Sequence, residues 1–171
     1  MNTSIRTILT TVIVAASGAL AFAAKATDLK PTLAKPGKIV VEEDFAGGAL
    51  PKAWTASKGD WQPREGFLIG KEKKEDQHPA VLTLGQKNHN SIIRFSFKLD
   101  GTDGFALSYN HAKGHLFRIQ VAAGSITINK DKDKKDANSK GLVLGKAEGK
   151  FAQGQWYTML VEVQGSKVVA I

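Results

Sequence analysis

Between Asn90 and Asn129, apolar and polar residues alternate in four successive runs separated by turn-forming residues. Ile93, Phe95, Phe97 and Leu99 take one side of the first run, and Arg94, Ser96 and Lys98 take the other. A period of two marks a half-buried strand, because successive side chains of extended backbone point to opposite faces. Phe105, Leu107 and Tyr109 repeat the pattern against Ser108 and Asn110, and Phe117, Ile119 and Val121 repeat it against Arg118 and Gln120. Ile126 and Ile128 do so against Thr127 and Asn129. Read as neighbours in one antiparallel sheet, these strands would bury an aromatic face and turn a polar face to solvent.

Other runs extend the picture. Lys38 to Phe45 is a β-branched stretch that predicts a strand, Ala80 to Leu84 predicts another, and the glycine- and proline-punctuated segment around Trp54 and Trp61 reads as a hairpin. In Trp156 to Gln164, Tyr157, Met159, Val161 and Val163 share a face; Gly165-Ser166 then forms a tight turn into a return strand from Lys167 to Ile171. Lys71 to His78 and Lys130 to Lys140 are charge runs expected in exposed loops, and Gly141 to Lys150 reads as glycine-rich and semi-extended. Roughly nine or ten short strands without an amphipathic helix predict an all-β, two-sheet antiparallel sandwich. The return strand stops at Ile171, so the reading expects a chain lacking its last strands.

The first residues read differently. Arg6, the apolar stretch from Ile8 to Leu20 and Ala21-Phe22-Ala23 form the tripartite pattern of a secretory signal peptide over residues 1–23. The apolar stretch is shorter than the roughly 20 residues a membrane span needs. A linker over 24–37 and one domain over 38–171 would follow, in an extracytoplasmic location that is periplasmic or secreted, with no membrane span after signal removal.

Composition narrows the chemistry. The chain has no cysteine, which excludes disulfides, thiolate metal sites and thiol nucleophiles. Its formal net charge of +8 favours anionic surfaces in general. Nucleic acid is not an expected partner, because the lysines are not interleaved with aromatics and no recognition helix is visible.

Phe45-Ala46-Gly47-Gly48-Ala49-Leu50-Pro51-Lys52-Ala53-Trp54, then Gly59 with Trp61, then Glu65 to Gly70 resemble the opening of exported concanavalin-like domains. These domains are related to family 16 glycoside hydrolases and to the 3-keto-disaccharide hydrolase domain. Trp156 to Gly165 resembles a late strand of the same domains, so the resemblance runs from Lys38 to Ile171. It implies a concanavalin-type jelly roll that binds or processes glycans outside the cytoplasm, with its closing strands beyond Ile171.

Catalytic signals are weak by comparison. A retaining glycosidase sets two carboxyl groups about 5 to 5.5 Å apart, and the family 16 pattern E-x-D-x-E is absent. Glu42, Glu43 and Asp44 are contiguous, Glu72, Glu75 and Asp76 sit among lysines, and Glu162 stands alone, so all read as solvated carboxylates. Asp131, Asp133 and Asp136 are interleaved with lysines that oppose a hard cation. His78, His89, His111 and His115 read as hydrogen-bonding or sugar-contacting groups, and neither a metal nor a cofactor is expected. The polar face is the candidate site: Arg94, Ser108, Asn110, His111, His115, Arg118 and Gln120, with Trp61 or Trp54 at the rim. Forked guanidinium donors suit hydroxyl pairs or carboxylates, and a flat ring suits a sugar face. The expected function is carbohydrate binding. Hydrolysis of 3-keto-glycosides and a non-catalytic structural or adhesion module are the alternatives.

Overall fold

The computed structural model describes residues 29–171 apart from Lys113 and Lys134, so the expected signal peptide lies outside the described residues. In chain order the strands are β1 (Trp54–Lys58), β2 (Asp60–Arg64), β3 (Phe67–Lys71), β4 (Val81–Leu84), β5 (Ser91–Lys98) and β6 (Gly104–His111). They continue with β7 (Gly114–Ala122), β8 (Ser125–Lys130), β9 (Leu142–Glu148), β10 (Trp156–Gln164) and β11 (Lys167–Ala170). A single 3₁₀ turn at Lys74–Asp76 is the only helical element among the described residues. The all-β expectation is met, and every strand pairing is antiparallel. The described chain forms two compact units, residues 29–34 with 91–171, and residues 35–90.

The larger unit holds a three-stranded sheet, ordered β11-β10-β5, and a four-stranded sheet, ordered β6-β7-β8-β9. Phe97 and Leu99, Phe117, Ile119 and Val121, and Met159, Val161 and Val163 make one buried cluster from both sheets. This arrangement is compatible with a β-sandwich. Phe97 is at its aromatic centre, with ring centroids 4.9 Å from Phe105, 5.7 Å from Phe151 and 5.7 Å from Tyr157. Burying each large aliphatic side chain here is worth about 1.5–3 kcal/mol, and Leu99, Ile119, Met159 and Leu160 are fully buried.

The expectation that the four alternating runs form one sheet is corrected. The first run, β5, pairs with β10 in the other sheet, matching Phe97 with Tyr157 and Phe95 with Met159. β9, from the segment read as semi-extended, takes the fourth place by pairing with β8. Alternation shows which side of a strand is apolar, and both inner faces of a sandwich alternate alike. The crossing from β5 to β6 is tied down by Gln153, whose Oε1 accepts the Gly101 amide at 2.9 Å and whose Nε2 donates to the Thr102 carbonyl at 2.8 Å.

In the smaller unit, β2 and β3 form a hairpin in register from Arg64↔Phe67 to Asp60↔Lys71. Its turn residues Glu65 and Gly66 have φ of 53° and 80°, the doubly positive pattern that matches strand twist. β1 pairs with β4, and the Lys58–Asp60 corner rests on Gly59, whose amide donates to Asp76 Oδ2 at 2.6 Å. The strand expected over Lys38 to Phe45 does not form: Ile39 and Val40 are each 69% exposed, and no strand among the described residues pairs with them. β-branched composition favours extended backbone, but a strand exists only where a neighbour satisfies its edge.

Candidate functional site

The face of the four-stranded sheet turned away from the core carries two adjacent cross-strand rows. Ser108, Arg118, Asn129 and Val143 align across β6, β7, β8 and β9, and Ala106, Gln120, Thr127 and Lys146 align beside them. Strand alternation puts both rows outward because Leu107, Ile119 and Ile128, between them, face the core. The rows are bonded to each other: Asn129 Nδ2 donates to Gln120 Oε1 at 2.7 Å and to Thr127 Oγ1 at 2.9 Å. Arg118 donates from Nη2 at 2.7 Å and from Nε at 3.2 Å to Asp131 Oδ1. Lys146 sits 2.7 Å from Glu148.

Beyond these rows, β7 has an extra residue at Leu116, so Asn110 pairs with His115. Their side chains meet, with His115 Nδ1 and Asn110 Oδ1 2.6 Å apart. His111 pairs with Gly114 at the hairpin end, one position further along and on the other side of the strand. Ser108, Asn110, His115, Arg118 and Gln120 are thus brought onto one sheet face. Arg94 is not: it lies on β5 in the other sheet, where Nη2 donates to the Leu29 carbonyl. Trp61 belongs to β2 in the 35–90 unit.

Thr127, Asn129 and Asp131 join the face without having been singled out as site residues. Alternation already placed Thr127 and Asn129 on the polar side. Asp131 follows Asn129 by two residues, so it shares the face with Arg118, the cross-strand partner of Asn129. Each carboxylate on this face has a cation partner, Asp131 with Arg118 and Glu148 with Lys146. The set of amides, hydroxyls and guanidinium on this face suits recognition. Among the described residues, no group of three or more His, Asp or Glu side chains gathers where it could hold a metal ion.

Glu162 corrects another expectation. Instead of being solvated, its side chain is 0% exposed on the outward side of β10. Oε1 accepts the Thr32 amide at 2.8 Å and the Thr32 hydroxyl at 3.2 Å, and Oε2 accepts the Leu33 and Ala34 amides, each at 2.8 Å. Burial pushes this carboxyl up, but the backbone amides of Thr32, Ala34 and Leu33 outweigh it and hold the group below the usual carboxylate range. Residues 29–34, read as linker, are therefore a strap on the three-stranded sheet. The signal was the run Met159 to Val163, apolar on both sides of Glu162, which marks a strand covered on both faces.

The chain matches no protein-family model, no curated protein and no solved structure. Among the described residues, no helix is long and apolar enough to cross a membrane.

Proposed function

We propose that this chain is an exported carbohydrate-binding protein of the concanavalin-like jelly-roll type, and that it takes oligo- or polysaccharide on the outward face of the four-stranded sheet. The observation that carries the reading is the pair of adjacent rows, in which Ser108, Arg118 and Asn129 lie beside Gln120 and Thr127. Such a surface offers hydroxyl-matching donors and acceptors already oriented by their mutual hydrogen bonds, which lowers the ordering entropy of binding. Sequence resemblance to the keto-disaccharide hydrolase domains points to the same ligand class. Binding is favoured over cleavage because the groups oriented on the face are amides, hydroxyls and a guanidinium.

A glycan array probed with the intact chain, and repeated with Arg118→Ala and Gln120→Ala, tests this reading. Binding weakened about tenfold or more by each substitution, with the fold intact by circular dichroism, supports it. A folded, unsubstituted chain that captures no glycan refutes it.

A further inference from the structure

The 35–90 unit has a shallow groove of about 440 Å³ lined by Gly48, Ala49, Leu50, Trp61, Gln62 and Pro63. None of these side chains is charged. Trp61 is fixed within it by two constraints. Its Nε1 donates to the Lys58 carbonyl at 2.9 Å, and its cross-strand partner is Gly70. A Cβ on Gly70 would meet Trp61 Cζ3 at 2.4 Å and both Cε3 and Cη2 at 2.7 Å. The flanking carbons are only 0.3 Å farther than Cζ3, which places that Cβ above the face of the ring rather than at its edge. The indole therefore lies flat over Gly70, and only a residue without a side chain permits it.

We infer that Trp61 is the stacking platform of a second carbohydrate subsite, one selective for neutral hexose units. The inference rests on the carbohydrate-binding reading but places this contact on different residues from the polar sheet face. A sugar presents a flat patch of C–H groups, which fits a rigid indole lining a groove. Gln62 alternates to the other side of β2, where its Nε2 donates to Asp60 Oδ2 at 2.8 Å, so the Trp61 ring itself, and not this amide, makes the contact. The uncharged lining gives an acidic sugar nothing to pair with. A proline-rich peptide also stacks on tryptophan, but its grooves are lined by aromatics in the plural, and this lining has one ring.

The experiment is a tryptophan-fluorescence titration of the intact chain with cellohexaose, laminarihexaose and chitohexaose, with a galacturonic acid hexamer and decaproline as contrasts. At least one neutral hexasaccharide is expected to give a saturable emission shift, with affinity falling about tenfold in Trp61→Ala. Ala49→Glu, which crowds the groove and leaves the indole in place, is expected to do the same, and Trp61→Tyr to restore part of the affinity. Because Trp61→Ala removes packing on Gly70, Ala49→Glu carries the test if that variant unfolds. Unchanged affinity in Ala49→Glu, or saturable binding of decaproline in place of the sugars, overturns the subsite. If glycans bind with a dependence on Arg118 and none on Ala49 or Trp61, the subsite falls while the sheet-face reading stands. A folded chain that binds no glycan removes both.

Discussion

Arg118 directs two N–H groups, from Nη2 at 2.7 Å and from Nε at 3.2 Å, onto one oxygen of Asp131, so the guanidinium is held by the edge of its fork. The pair sits on the polar sheet face with side-chain exposures of 36% and 19%. Partly exposed pairs of this kind contribute little to stability, on the order of 1 kcal/mol or less. Asp131→Ala is therefore expected to shift a urea midpoint only slightly, while weakening glycan capture because Arg118 loses its fixed orientation. Combining Asp131→Ala with Arg118→Ala should add little to the binding loss of Arg118→Ala alone, and additive losses would show that the two residues act independently.

Glu162→Gln should be far more damaging than its small change in size suggests. The amide keeps one acceptor oxygen, but its NH₂ faces backbone N–H donors where the second carboxylate oxygen now accepts. A fall in Tm of about 5 °C or more is expected by calorimetry, with Thr32→Val milder because the backbone amides remain.

Glu162 also sets an acid limit. Its folded pKa is lowered, so its stabilisation is fully present above the unfolded carboxylate value of about 4.3 and is lost as pH falls through the lower folded value. The Tm curves of the unsubstituted chain and Glu162→Gln should converge as pH drops below that window. A constant gap down to strongly acid pH would contradict this linkage.

Tyr109 behaves oppositely at the alkaline end. Burial raises its phenol, and the hydroxyl contact with Ser91 only partly opposes this. A raised folded pKa means that stabilisation is present below the unfolded value near 10 and is lost as pH rises through the folded one. Absorbance titration should show a late-ionising tyrosine that disappears in Tyr109→Phe.

Gly59→Ala tests the corner of the smaller unit. Gly59 has a φ of 78° and its missing Cβ would lie 2.4 Å from Ala80 Cβ and 2.6 Å from the Lys71 carbonyl oxygen. Strain and overlap together should cost about 2 kcal/mol or more, measurable as earlier proteolysis between Lys35 and Asn90.

Most strands were legible because period-2 alternation survives in a sheet with one face buried. Pairing was not. The aromatic side of β5 looks the same whether its neighbour is β6 or β10, and only the Phe97↔Tyr157 register reveals the second. Arg94 and Arg118 consequently read as one face although they lie on separate sheets. Ser108, Arg118 and Gln120 were legible as companions because they belong to adjoining strands of one meander. Asp131 and Glu162 were not, since the first sits at the edge of a charge run and the second takes its partners from Thr32 to Ala34, some 130 residues upstream.

That separation governs the order of events when the chain folds. A polypeptide emerges from synthesis with its amino end first, yet Thr32, Leu33 and Ala34 have nothing to donate to until β10 exists and is paired. Closing a loop of this length costs on the order of 4 kcal/mol of chain entropy, so contacts inside the two sheets form first and the strap settles afterwards. In pulse-labelled hydrogen exchange during refolding, the amides of Thr32 to Ala34 should gain protection after those of β7 and β10. The earliest-made residues of the described chain would then be among the last to reach their native places.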